Sequence, residues 1–269
     1  MSRQKILITV KTYPTLSQKY DELVCTAGFT ESGDWIRIYP VPFRKIPYHQ
    51  QYKKYDWVEL DIVKNKGDFR VESYRPKSAK EEIKVVGSID TAQNWAKRKR
   101  IVLKNVEDDL STLIASAKDR THPISLAVFK PAKIKDFIIK PVNRNWSDEK
   151  LAALKQTNLF EKVTETEKRV VKKLPYKFSY SFTDALGKES TMMIEDWEIG
   201  QLYWNVLKST GNEEDACNKV REKYFDEFTT QKDLYFFLGT TKANHFRSRN
   251  PFIIIGLFYP KKEPQLKFF

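Results

Sequence analysis

The chain is 269 residues long, enough for one large domain or two small ones. It is 41% hydrophobic and 13% aromatic, which excludes a disordered chain, and 48 Lys and Arg against 35 Asp and Glu leave a net charge of +13. Such an excess attracts polyanions (DNA, RNA or an anionic membrane surface), although a lysine content that merely keeps the protein in solution reads the same way.

Residues 5–12 read as a buried strand ending at Tyr13-Pro14. Glu22 to Thr30, the turn Glu31-Ser32-Gly33-Asp34 and the alternating run Trp35 to Tyr39 form a hairpin signature. In the next hairpin Val58, Leu60 and Ile62 share a face, Asn65-Lys66-Gly67-Asp68 turns, and Phe69 to Tyr74 alternates again. An apolar run at 83–89 follows. Thr91 is placed to cap a helix carrying Trp95, and a second helix is expected over 107–119. Strands are expected at 124–130 and 134–140. Residues 143–174 read as a charged helical connector. Beyond it, Phe178, Tyr180 and Phe182 alternate, Asp196 can cap a helix to about Leu207, a helix covers 213–228, and strands run over 234–238 and 252–258.

The opening MSRQKILITV is too short in apolar residues for a signal peptide, and no run approaches the roughly 18 residues of a membrane span. A cytoplasmic protein is expected, with no membrane partner. Cys25, inside an apolar run, and the distant Cys217 read as buried free thiols.

Three scattered histidines, His49, His122 and His245, offer no zinc spacing, and neither Walker A, GxGxxG nor GxSxG occurs. No metal and no cofactor is expected. Two nuclease patterns arise. Arg44 and His49 have the spacing of a helical RNase motif, but Pro47 interrupts the helix that would align them. Glu82 and Lys84 with Asp61 or Asp68 resemble a carboxylate–lysine core that would hold Mg²⁺, a triplet that chance supplies readily here. Glu59 and Asp61 share a strand face that reads as a solvated edge.

Basic runs with aromatic company carry more. Trp95 precedes Lys97, Arg98, Lys99 and Arg100, the densest positive run, which also fits a solvated helix face. The segment 35–55 interleaves Arg37, Arg44 and Lys45 with Trp35, Tyr39, Tyr48 and Tyr55, a composition suited to unstacked bases. Arg37, opposite Ile36 and Ile38 on its strand, is expected to be exposed. The polar loop Lys242 to Asn250 brings His245, Arg247 and Arg249 between two apolar strands, for phosphate contact rather than His-dependent catalysis.

YDELVCTAGFTESGDWIRIYPVPFR (20–44), FRVESYRP (69–76), VFKPAKIKDFIIKP (128–141), IEDWEIGQLYW (194–204), FFLGTT (236–241) and PFIIIGLFYP (251–260) together resemble a bacterial group of uncharacterised proteins carrying a dual OB-fold-containing domain. The resemblance implies a pair of small barrels of a type used on single-stranded nucleic acid, in a setting of phage defence or mobile elements; it brings no catalytic residues.

The fold expected is thus α+β, mostly β: two OB-like or β-rich modules, 1–142 and 175–269, with a helical insert at 195–228. The function expected is binding of single-stranded DNA or RNA with weak sequence preference. A nuclease on the same substrate, or a sensor subunit docking a protein partner, are the alternatives. No reaction is identified.

Overall fold

The computed structural model describes residues 3–16, 22–78, 81–149, 151–152 and 171–263. The chain divides into two compact units, Met1–Ile89 with Lys140–Lys177, and Asp90–Ile139 with Phe178–Phe269. The fold is mixed, mostly strands with helices between them, and both units are β-rich.

The first unit is built on β1 (Arg3–Lys11), β2 (Thr15–Leu16), β3 (Glu22–Thr30), β4 (Trp35–Val41), β5 (Asp56–Lys64), β6 (Ser73–Pro76) and β7 (Lys84–Ser88). β1 pairs with β3, β3 with β4, β4 with β6 in parallel, β6 with β5, and β5 with β1, so the path closes on itself as a five-stranded barrel. Val58, Leu60 and Ile62 line its interior at period two, with the buried Ile6, Ile8 and Ile36. Register shifts within β1–β3 and β3–β4 supply the bend that closure needs. Gly28, opposite Ile8, permits the close approach: a Cβ there would lie 1.9 Å from the Leu7 carbonyl oxygen. β7 lies against β5 with every residue exposed.

The second unit contains α1 (Ala92–Val102), β8 (Val106–Glu107), α2 (Leu110–Lys118), β9 (Leu126–Phe129), β10 (Lys133–Pro141), β11 (Tyr176–Thr183), β12 (Glu189–Met193), α3 (Trp197–Thr210), α4 (Glu213–Arg221), a π-helical turn (Glu222–Glu227), α5 (Phe228–Gln231), β13 (Tyr235–Thr240) and β14 (Phe252–Phe258). Its strands form two sheets, β10-β11-β12 and β14-β13-β9-β8. Glu195 donates its N–H to the Ile254 carbonyl at 2.8 Å, beside a parallel bridge between Ile194 and Ile254. Between the sheets the rings of Tyr180 and Phe236 stack at 5.4 Å, and Phe182 meets Phe236 edge-on at 5.3 Å.

Local chemistry explains the helix ends. Asp196 accepts from the Glu198 N–H and Asn212 from the Glu214 N–H, and Gly211, at φ +70°, ends α3 in the left-handed conformation. The buried Tyr180 hydroxyl donates to the Tyr224 carbonyl, within the π-helical turn.

Three expectations are corrected. Residues 69–72 are not strand: the chain turns from 65 to 72 around buried polar groups, and pairing resumes at Ser73. Thr91 makes no side-chain cap, because the first turn of α1 is left-handed. The Cys25 and Cys217 thiols are free but half-buried.

Candidate nucleic-acid interface

The predicted residues of the first unit separate sharply. Arg37 points away from Ile36 and Ile38 as its strand parity requires, yet it is only 1% exposed. The reason is the 65–72 loop, which brings Asp68, Arg70 and Glu72 beside it, with Cys25 also near; burial pushes the guanidinium pKa down. Arg37 is thus a buried group, not an exposed contact. Arg44 and Lys45 lie on a short 3-10 turn, Phe43–Lys45, with Arg44 exposed. Of the neighbouring aromatics, Tyr48 is exposed while Tyr52 and Tyr55 are buried. Tyr52 lies 2.5 Å from the Thr26 hydroxyl, and the Lys11 ammonium sits 4.3 Å from the Phe43 ring.

The 65–72 loop itself is turned inside out. Asp68 and Arg70 are buried, their ion pair closing at 2.5 Å with a second contact of 2.9 Å from Arg70 Nε, while the Ser73 hydroxyl donates to Asp68 at 2.7 Å. Burial pushes the Asp68 carboxyl up, but the Arg70 hydrogen bonds and charge, helped by Ser73, outweigh it and bring its pKa down to about 2. Between these polar residues Phe69 is 43% and Val71 46% exposed. Full burial of such side chains is worth about 1.5–3 kcal/mol each, whereas a buried ion pair roughly breaks even against apolar packing. Folding stability alone therefore does not favour this arrangement. Asp68, committed to Arg70 and Ser73, is also withdrawn from the carboxylate–lysine pattern that the sequence offered.

In the second unit α1 opens with three left-handed non-glycine residues, Gln93, Asn94 and Trp95, at φ +50°, +51° and +64°. Each costs about 1–2 kcal/mol. Side-chain contacts hold the turn. Asn94 exchanges two hydrogen bonds with the Lys261 backbone, at 2.9 and 2.8 Å, and Trp95 packs edge-on against Phe258 at 5.1 Å. Arg98 lies over the Trp95 ring at 4.9 Å and Lys99 pairs with Glu263 at 2.6 Å, so two of the four predicted cations also hold this turn in place. Lys97 and Arg100 are exposed.

The loop after β13 is anchored from within. His245, expected to touch phosphate, is wholly buried: its Nδ1 lies 2.7 Å from the Thr240 hydroxyl and its N–H donates to the Thr241 carbonyl at 3.0 Å. Its role in this loop is support. The next residue, Phe246, is 39% exposed, meets the His245 ring at 4.6 Å, and carries the Arg120 guanidinium 5.6 Å from its centroid. Arg247, Arg249 and Lys242 are exposed around it. Sequence reading missed Arg120 and Phe246; nothing in their local spacing announces the contact, since 126 residues separate them.

These clusters do not converge. The loop sits at the Phe252 end of β14 and α1 at its Phe258 end, about 20 Å apart along the strand.

Two family profiles match side by side, one described as Domain of unknown function (DUF8758) over residues 2–104 and the other as Domain of unknown function (DUF8757) over residues 106–269. No curated protein matches. A solved structure described as "Structure of murine DNA binding protein bound with ds DNA" covers 98% of this chain and 97% of its own, at 10% identity and a TM-score of 0.33, a likeness too slight to carry an argument. The DUF8757 match alone takes in more than half of the chain, and the protein belongs to that family, the DUF8758 match preceding it.

Proposed function

We propose that this protein binds nucleic acid, single-stranded DNA or RNA, through surfaces that pair cations with aromatic rings and read sequence weakly. The observation that carries the proposal is the loop of residues 241–250. A buried His245 and its Thr240 bond fix the backbone, and the fixed backbone presents Phe246 beneath Arg120 with Arg247 and Arg249 exposed. Guanidinium groups follow the phosphates, and ring faces accept any base. Lys97 and Arg100 on α1 and Arg44 on the barrel add positive surface of the same kind.

The barrel topology supports the reading. Numbered in chain order, its five main strands run 1-2-3-5-4 and back to 1, with strands 3 and 5 parallel, an order that supports reading this barrel as OB-like. Barrels of this kind bind oligonucleotides on strands 2–3 and the flanking loops.

The test is fluorescence anisotropy of single-stranded DNA, RNA and duplex DNA across salt concentrations, with Mg²⁺ present and the probes examined for cleavage afterwards. Micromolar or tighter binding to intact single strands is expected, with a log–log salt slope of about −2 to −3.5 for a handful of neutralised phosphates. Absence of binding at low salt would overturn the proposal, and cut probes would replace a binding protein with a nuclease.

A further inference from the structure

We infer that the everted loop of the barrel, residues 65–72, is a stacking site for an unpaired base, with Phe69 as the ring it stacks on; this rests on the nucleic-acid reading above. The loop's shape is fixed independently of any ligand. Asn65 starts the turn, accepting from the Gly67 N–H on its side chain at 3.2 Å and from the Asp68 N–H on its carbonyl at 2.9 Å. The Asp68–Arg70 pair then occupies the inner side, so that Phe69 and Val71 face water on alternate positions. A surface loop with its charges inside and its apolar groups outside is the reverse of what water selects, and exposed apolar groups beside buried polar ones mark a binding surface.

Charge decides the occupant. Lys64 donates its ammonium to the Val71 carbonyl and lies 4.6 Å from the Tyr74 ring, placing a cation beside the apolar pair. Lys66 is exposed at the tip of the turn and Arg75 on the strand that follows, while of the loop's two carboxylates Asp68 is turned inward on Arg70 and Glu72 lies beside the buried Arg37. A partly exposed aromatic ring on a turn that carries exposed cations at neighbouring positions fits a flat base on an anionic backbone. A base inside a duplex is stacked on both faces and has none to offer, so the site selects unpaired nucleotides.

The experiment uses the full chain with two fluorescein-labelled probes, a dT12 strand and an abasic strand of the same length. Wild-type protein is expected to bind dT12 more tightly than the abasic strand. F69A is expected to weaken dT12 binding roughly 5- to 150-fold, the range for losing one base–aromatic stack, and to leave abasic binding and the salt slope unchanged. F69W, which keeps a ring, is expected to retain binding, and so separates stacking from damage to the fold. If wild type binds dT12 and F69A binds it equally, this inference falls and the nucleic-acid reading stands. If wild type binds neither probe, both fall.

Discussion

Replacing Asp68 with Asn tests whether a buried ion pair shapes the 65–72 loop. The substitution keeps the shape of the side chain and removes its charge, leaving the Arg70 guanidinium, 6% exposed, without its counter-ion. Two arguments bound the effect. Removing one partner of a buried pair costs about 3–5 kcal/mol. Lowering the carboxyl from its ordinary 3.8 to about 2 corresponds to about 2.5 kcal/mol of folding stability held by the ionised form. A loss of about 3 kcal/mol is therefore expected at pH 7. Because the folded pKa lies below the unfolded one, the contribution is complete above about pH 4 and disappears as pH falls through 2. Amide hydrogen exchange of peptides from β1, β3 and β5 at neutral pH reads the opening energy of the barrel. Urea unfolding of both proteins from pH 7 to pH 2.5 reads the acid arm, where the difference between the two curves isolates Asp68 from the other carboxylates. The gap should be widest at neutral pH and close on acidification. The double variant D68L/R70M should lie nearer wild type than D68N, since it leaves no charge buried. A D68N protein within 0.5 kcal/mol of wild type, or two curves falling in parallel with pH, would refute the reasoning.

The other expectations are shorter. R247A/R249A should weaken single-strand binding and flatten the log–log salt slope by about 1.4, two phosphates' worth, in anisotropy titrations; an unchanged slope would remove these arginines from the interface. Gln93→Gly should raise the melting temperature of the second unit by a few degrees, because glycine adopts φ near +50° without the penalty of about 1–2 kcal/mol that glutamine carries, of which its extra chain entropy takes back about 0.5–1 kcal/mol. A lower melting point would mean that the left-handed turn is not strained. Gly28→Ala should cost more than about 4 kcal/mol, since its Cβ has no room beside the Leu7 carbonyl oxygen. A variant melting within two or three degrees of wild type would show that β1 and β3 can part cheaply.

Much of the barrel was legible because its signals are local. β1 and β3 declare themselves as buried runs, β4 and β5 through apolar alternation, and the hairpin between β3 and β4 through the Gly33 turn, at φ +91°. Closure was not, because the parallel pairing of β4 with β6 and the pairing of β5 with β1 join segments far apart in sequence. The same distance explains the Arg37 error. Parity correctly turned it away from Ile36 and Ile38, but the cover comes from Asp68 and Arg70, more than thirty residues on. At Phe69 to Tyr74 the alternation was real and its meaning reversed: an Asp–x–Arg pair two residues apart closes on itself, buries its charges and turns the apolar residues out. In the 241–250 loop the sequence located the cluster but exchanged its parts. His245, polar and surrounded by polar residues, is the anchor, and Phe246, which composition would bury, is exposed.

The separation of the two basic clusters in the second unit makes oligonucleotide length a discriminating variable. The 241–250 loop and α1 flank opposite ends of β14, about 20 Å apart. At about 3.4 Å per stacked nucleotide, a strand must reach about six nucleotides before it can touch both. A four-nucleotide probe engages one cluster at a time, whereas an eight-nucleotide probe makes the second contact intramolecular, at an effective concentration near millimolar. Affinity corrected for the number of binding registers should therefore rise steeply between four and eight nucleotides and flatten beyond. The pairs K97A/R100A and R247A/R249A should each abolish that rise while leaving four-nucleotide binding at the other cluster intact. A gradual increase with length, insensitive to either pair, would mean that the two clusters never share one strand, and the contact surface would have to be sought on one of them alone.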